Sequence, residues 1–364
     1  MDEPMIRAWV LDAAAPSPVY DQAPGRWVGL DGWPQAGAPQ LSLALSPGTL
    51  TPHAGPGPAP ITVASPQTTG WTAQTWVAYG VNADGPLDQA GEAGLATLHD
   101  SAPLEAPLDI LGFPELTLTV ASDVAQANLA AVLSMVAPDG KATFISHGVL
   151  NLTHRDSHAD PAPMPPDTPV PVRLQLNVIG QHVPAGYRLR LALSSAYWPL
   201  IWPSAEAAEL TLTDATLRLP LLPADAQTAL PDLPAAEGAQ PADLAEVDPP
   251  RYTRTRSIDC ITGVETTTRH DHRGAYRHAH TGLTVAVDCH EVYRIHPDDP
   301  NSAKGTCTWH WRAERDDWFA DLQTQVSVTA ERTNWRIEAT LTATDADGIV
   351  DRRTWSERIA RDMV

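Results

Sequence analysis

Three groups of residues have the types and spacing to do chemistry. The first lies in "GYRLRLALSSAYWPLIWP", Gly186 to Pro203, where an alternating strand runs into Ser194 and Ser195. A hydrolase nucleophile sits on a sharp strand-to-helix turn, G-x-S-x-G, that tolerates only small neighbours. No serine in the chain has glycine at both positions of that pattern, and Trp198-Pro199 follows Ser195 where a helix would have to start. The residue before a proline is pushed out of the helical region. Ser194 and Ser195 therefore read as strand-end hydroxyls bonded locally, and no catalytic residue is expected.

The second group is histidine. "HDHRGAYRHAH" holds His270, His272, His278 and His280 as two H-x-H pairs. On a strand each pair puts both rings on one face, which can chelate zinc. Arg269, Arg273 and Arg277 surround them and oppose a dication, and Asp271 is the one carboxylate at a matching spacing. The reading is a solvated polar loop or strand face, with no metal and no cofactor. "THRDSHAD" gathers His154, Arg155, Asp156, His158 and Asp160 before a proline-rich loop. It reads as a structural turn in which Arg155 makes an ion pair or caps backbone, in preference to acid–base chemistry.

The third group is aromatic. Twelve tryptophans stand against three phenylalanines. Tryptophan offers a large apolar area and one donor. Trp71, Trp76, Tyr79, Tyr197, Trp198 and Trp202 are the candidate binding residues, lining a cleft wall; the competing reading is that they fill the core.

The elements that must position these residues are strands. "PELTLTVASD" sets Leu116, Leu118 and Val120 on one face. "LAAVLSMVAPDGKATFISHGVL" reads as two strands joined at Pro138-Asp139-Gly140, and "GYRLRLALSS" points Tyr187, Leu189, Leu191 and Leu193 inward. "LTLTDATLRLPLL" reads as two further short strands. Period-2 alternation bounded by turn residues is the strand signature. After residue 250, "GTCTWHWRA" and "NWRIEATLTAT" are strands with one apolar and one polar face, as in an antiparallel sheet or small barrel. A short helix is expected near 355–362.

Composition divides the chain of 364 residues. Residues 1–247 hold 8 Lys/Arg, 25 Asp/Glu and 31 Pro; residues 248–364 hold 16, 19 and 4. Two compositions argue for two domains, joined by an Ala/Pro/Asp-rich linker over 223–250. The net charge of -20 lacks the basic footprint that nucleic-acid binding requires. No apolar run approaches the roughly 20 residues of a membrane helix. The acidic start "MDEPMIRAWVLDAAAP" is unlike a signal peptide. Three widely spaced cysteines make no disulfide framework. The expectation is a soluble, cytoplasmic protein with free thiols, and no nucleic-acid or membrane partner.

"GWTAQTWVAYG…LDQAGEAGLATLHDSAPLEAPLDILGFPELTLTVASD", "VLNLTHRDSHADP" and "GQHVPAGYRLRLALSSAYWPLIWPS" occur in that order. They resemble the C-terminal domain of the Xaa-Pro dipeptidyl-peptidase and cocaine-esterase (CocE/NonD) serine hydrolases. The resemblance implies an all-β fold: a jelly-roll, galactose-binding-like β-sandwich over 40–222, then a second antiparallel β domain over 251–364. Residues 1–39 look like the strand region leading out of the family's hydrolase domain, so the match begins mid-protein. The family's Ser, Asp and His lie upstream of that stretch, and none is carried over. The implied role is the non-catalytic C-terminal portion of an acyl-ester or Xaa-Pro peptide hydrolase, inactive alone. It would pack against a hydrolase domain supplied upstream or by a separate chain, with homo-oligomerisation a further possibility. The alternative is a stand-alone β-sandwich binding module for a carbohydrate or small apolar ligand.

Overall fold

Leucine alternating with polar residues builds the first half of the chain. The computed structural model describes residues 3–34, 37–52, 59–76, 84–222, 230–231, 235 and 237–364. It divides into two units, Met1–Tyr79 with Asp84–Pro234 and Met363–Val364, and Gly80–Ala83 with Ala235–Asp362. Part of the segment expected as a linker, and Tyr79, lie outside the described residues.

The strands of the first unit are β1 (Ile6–Leu11), β2 (Gly25–Leu30), β3 (Gln40–Ser46), β4 (Thr49–Pro52), β5 (Ile61–Val63), β6 (Thr97–Ser101) and β7 (Leu108–Gly112). They continue with β8 (Glu115–Ser122), β9 (Asn128–Val136), β10 (Ala142–Asn151), β11 (Val170–Gln175), β12 (Ile179–Val183), β13 (Arg188–Ser194) and β14 (Leu210–Pro220). Among the described residues one sheet follows the path β10-β9-β13-β6-β4-β3-β14-β8-β11, with β5 beside β14. A short parallel contact of β4 with β6 joins its two wings. The wings share one core: Leu129, Leu133, Leu189, Leu191 and Leu193 from one, Leu116, Val120, Leu210, Leu212 and Leu217 from the other, each fully buried. This is the layered sandwich that alternation requires, since each sheet must bury its apolar face against another. Burying one such leucine contributes about 1.5–3 kcal/mol.

The described residues of the 1–39 segment are part of this unit's architecture. β1 pairs antiparallel with β2 and parallel with β12, in a four-stranded sheet ordered β2-β1-β12-β7. Val10, Val28, Leu30 and Leu222 form its own small core.

One detail differs from the sequence reading. "LTLTDATLRLPLL" is a single strand, β14, with a bulge between Thr213 and Thr216. Asp214 takes φ 52° there. Leu210 and Leu212 differ in parity from Leu217 and Leu219, yet all four are fully buried. The extra residue of a bulge is what shifts the alternation and keeps both halves inward.

The second unit comprises β15 (Leu244–Asp248), β16 (Arg251–Ile258), β17 (Glu265–His278), β18 (Thr284–His296), β19 (Asp299–Arg315), β20 (Trp318–Ala330), β21 (Asn334–Asp345) and β22 (Gly348–Ala360). From β17 onward they form an antiparallel meander, with β15 and β16 both paired to β17. The helix expected near 355–362 is strand: β22 pairs along β21, Trp355 opposite Ala339 and Ile359 opposite Trp335. Trp355 and Ile359 are four apart, which satisfies one helical turn and two strand periods alike. The free edge of β21 decides between them.

Candidate functional site

Ser194 closes β13 and is buried. The Ser195 hydroxyl accepts from the Ser65 backbone N–H at 3.1 Å, a partner 130 residues away in sequence where a local bond was expected. In "THRDSHAD", Arg155 donates to the Leu152 and Ala162 carbonyls at 3.2 and 2.9 Å and pairs with Asp156 at 3.2 Å. The guanidinium holds the turn closed.

The aromatic candidates separate by burial. Tyr197 and Trp198 are buried at 5% and 4% exposure, whereas Trp76 is 68% exposed. Trp71 and Trp202 are half-buried. Trp198 and Trp202 meet edge to face, ring centroids 5.1 Å apart. Tyr197 packs with Ala73, Ala130 and Val132.

A compact polar network holds the loop that carries Trp71 and Trp76. The buried Glu92 carboxylate accepts from the Gly70 N–H (3.2 Å), the Thr72 N–H (3.0 Å) and the Thr72 hydroxyl (2.9 Å). Gln89 Nε2 donates to the Thr72 and Leu87 carbonyls. Trp198 N–H donates to Thr69 O at 2.7 Å. Gly70 has φ +111°, and a Cβ there would stand 2.7 Å from the Tyr197 carbonyl carbon. Only glycine permits that approach. Sequence reasoning missed Glu92 and Gln89 as positioning residues. Their signal lies in "DQAGEAG", where Gln89 and Glu92 stand on either side of Gly91.

Trp76 borders a concavity of about 360 Å³ lined also by Gln74, His147, Val149, Gln175 and Asn177. His147 is buried between the rings of Phe144 and Tyr197, at centroid distances of 5.7 and 5.9 Å. Burial pushes its pKa down, so the neutral imidazole is favoured. Three side-chain amides, an imidazole and an indole offer donors and acceptors beside one flat apolar face. A second cavity of about 240 Å³ is mostly apolar, with Leu11, Tyr20, Pro24, Met135 and Phe144 among its walls.

In the second unit the H-x-H pair of β17 finds a carboxylate that its sequence neighbourhood does not contain. His270 Nε2 lies 2.8 Å and His272 Nδ1 2.6 Å from Asp288 Oδ2, on β18. Asp271, the carboxylate offered by spacing, is one residue out of parity and projects from the opposite face, where Arg273 binds it at 3.0 Å. Burial alone would raise Asp288; hydrogen bonds from His272 and His270 overcome it and hold the carboxyl below its usual range. On that opposite face Cys289 and Cys307 have their sulfurs 3.9 Å apart. The Cys307 contact and then burial push the Cys289 thiol up.

Residues 1–278 match the family model of the X-Pro dipeptidyl-peptidase C-terminal non-catalytic domain. The chain belongs to this family. The match covers every strand of the sandwich unit, β1–β14, and continues through β15–β17, in keeping with the resemblance seen in "LDQAGEAG" and "GYRLRLALSSAYWP". No curated protein matches the chain. Among solved structures, it is similar to an aminopeptidase from a marine sediment Thaumarchaeota archaeon, at 17% identity and TM-score 0.46, covering 53% of this chain and 39% of that one. An α-amino acid ester hydrolase is similar at 18% identity and TM-score 0.45, covering 54% and 39%. A CocE/NonD family hydrolase from Staphylococcus aureus is similar at 14% identity and TM-score 0.45, covering 61% and 42%. The chain spans about two fifths of the length of these structures. No α-helix occurs among the described residues, and none is long and apolar enough to cross a membrane.

Proposed function

We propose that this X-Pro dipeptidyl-peptidase C-terminal domain packs against an α/β-hydrolase domain and forms one wall of its substrate cleft. The enzyme so completed would hydrolyse acyl esters or Xaa-Pro peptides. The catalytic Ser, Asp and His would come from the partner, encoded upstream or on a separate chain. The family match over residues 1–278, to a domain described as non-catalytic, carries this reading. Trp76, with the edges of Trp71 and Trp202, is the part of the aromatic set able to meet a partner or substrate. An exposed indole on a rigid loop has the character of an interface anchor. The network around Glu92 supports this by keeping the loop's shape before docking.

The test is turnover of aryl esters and Xaa-Pro anilides by the purified chain, with and without a separately expressed hydrolase domain of the family. No turnover alone, and a stable complex weakened at least about tenfold by Trp76→Ala, is the expected result. Serine-hydrolase turnover by the chain alone, removed by a serine-directed inhibitor, would overturn the reading.

The concavity beside Trp76 favours a second reading, a stand-alone module for a carbohydrate. Gln74, Gln175 and Asn177 can hydrogen-bond hydroxyls while the indole stacks on a sugar face. Tryptophan fluorescence titrated with glycans distinguishes the two: a saturable shift lost in Trp76→Ala, with no binding to a hydrolase domain, selects the module.

A further inference from the structure

We propose that the second unit binds one divalent transition metal, zinc being the best match, through His270 Nε2, His272 Nδ1 and the Asp288 carboxylate. Three observations on the sheet lead there.

The first is convergence. Alternation along β17 puts His270 and His272 on one face, and the register sets His272 opposite Asp288 and His270 opposite His290. Asp288 receives both imidazoles, His270 at 3.0 and 2.8 Å and His272 at 2.6 Å. Two imidazoles and one carboxylate are a donor set that zinc takes readily, with bonds of about 2.0–2.2 Å. Tetrahedral zinc would separate the donor atoms to about 3.3 Å. Small side-chain rotations supply that, because His270 and Asp288 are only partly buried.

The second is the outer carboxylate. His272 Nε2 lies 2.8 Å from Asp248 Oδ2. Metal-bound histidines usually donate their other N–H to a carboxylate, which fixes tautomer and ring orientation. Asp288 and Asp248 thus face opposite nitrogens of one ring. A metal at Nδ1 would leave Nε2 facing Asp248, the orienting contact that metal-bound histidines use. The corner that brings Asp248 there depends on Gly274, at φ +80°, where a Cβ would stand 2.4 Å from the Asp248 carbonyl oxygen.

The third is where the arginines go. Arg269 binds Glu291 at 2.8 Å, and Arg273 binds Asp271 while lying over the Trp309 ring, all on the other face. On the histidine face Arg251 is held by Asp248 at 2.9 and 3.3 Å, and Arg312 by Asp321 at 3.3 Å. Of the cations that argued against a metal, Arg269 and Arg273 are behind the sheet, and Arg277 stands opposite Thr284, four residues along β18 from Asp288. Exposed His290, its ring 5.7 Å from that of His270, is the candidate fourth ligand; otherwise water completes the shell.

The experiment uses the full chain without a polyhistidine tag, stripped by chelator and titrated with zinc chloride by calorimetry. Cobalt(II) absorption serves as the second readout. The expected result is one zinc per chain with micromolar or tighter affinity, and a cobalt spectrum showing defined four- or five-coordinate geometry. His270→Ala and Asp288→Asn should each weaken zinc at least about tenfold, and Asp248→Asn by roughly 10-fold through orientation. The double variant His278→Ala/His280→Ala should leave affinity unchanged. Circular dichroism confirms that each variant is folded, and Asp288→Asn keeps the residue's shape if His270→Ala does not fold. Absence of saturable binding at zinc concentrations up to about 100 µM would overturn the proposal. So would binding indifferent to His270 and Asp288, or binding lost with His278 and His280.

Discussion

The sandwich unit and the C-terminal sheet are built from the same alternating pattern, and they exclude water differently. In the sandwich two wings close on each other, and leucines such as Leu133, Leu191 and Leu210 reach full burial. In the C-terminal sheet the fully buried apolar residues described are small or few: Cys289, Ile295, Ala303, Ala313 and Ala330. Its large apolar side chains keep substantial exposure, Trp309 at 36% and Trp355 at 46%. Cross-strand pairs take over part of the work there. Examples are His310 with Asp321 at 2.5 Å, Arg269 with Glu291 at 2.8 Å, and Arg361 over Trp335 at 4.6 Å. The contrast teaches that alternation specifies a sheet with two unlike faces, while the presence of a second layer decides how much each apolar residue contributes.

Four measurements would break or sharpen this contrast. Leu191→Ala, in the closed core, is expected to cost about 2–5 kcal/mol, because the cavity cannot fully collapse. Glu92→Ala strands the Gly70 and Thr72 donors and should cost about 1–3 kcal/mol. Both are read from denaturant midpoints, with hydrogen exchange at β13 assigning the loss to the sandwich. Trp309→Ala should cost only about 1–2 kcal/mol, the sum of a cross-strand pair and the Arg273 contact. A loss at β19 equal to that of Leu191→Ala would mean that the C-terminal sheet has a cover as tight as the sandwich core.

The smallest effect is in pH. His99 is fully buried, hydrogen-bonds the Ser46 carbonyl through Nδ1 at 2.7 Å, and its Nε2 has no hydrogen-bond partner among the described residues. Burial lowers its pKa, against the opposing pull of the Ser46 bond and Asp100; His147 is lowered by burial too. The unfolded chain therefore binds more protons than the folded one. Stability is complete above the unfolded histidine value of about 6.5 and is lost as pH falls below it, by at most about 1.4 kcal/mol per unit per group. Melting temperatures from pH 7.5 to 5.5 check this. His99→Gln should flatten the slope, and an unchanged slope would move the effect to other groups.

Much of the architecture was readable beforehand because a strand's faces follow from parity alone. Leu116, Leu118 and Val120 were assignable inward without knowing what they would meet. The bulge at Asp214 and the strand at 348–360 were not, because a ladder partner distant in sequence settles each. The same holds for the sites. The absence of an elbow around Ser194 and Ser195 is a local property, and so is the turn built by Arg155. Burial of Tyr197 and Trp198, exposure of Trp76 and the grip of Glu92 on the Trp71 loop depend on segments some 20 to 130 residues apart packing together.

The order of residues along this chain thus settled its sheet character, the inward and outward sets, and membership of a non-catalytic family. Those are properties of neighbours one or two positions apart, or of motifs in series. Which carboxylate faces His270 and His272 belonged to the fold. Asp271 is adjacent in sequence and is turned away by the pleat, whereas Asp288 is brought beside both rings by the register of β17 on β18.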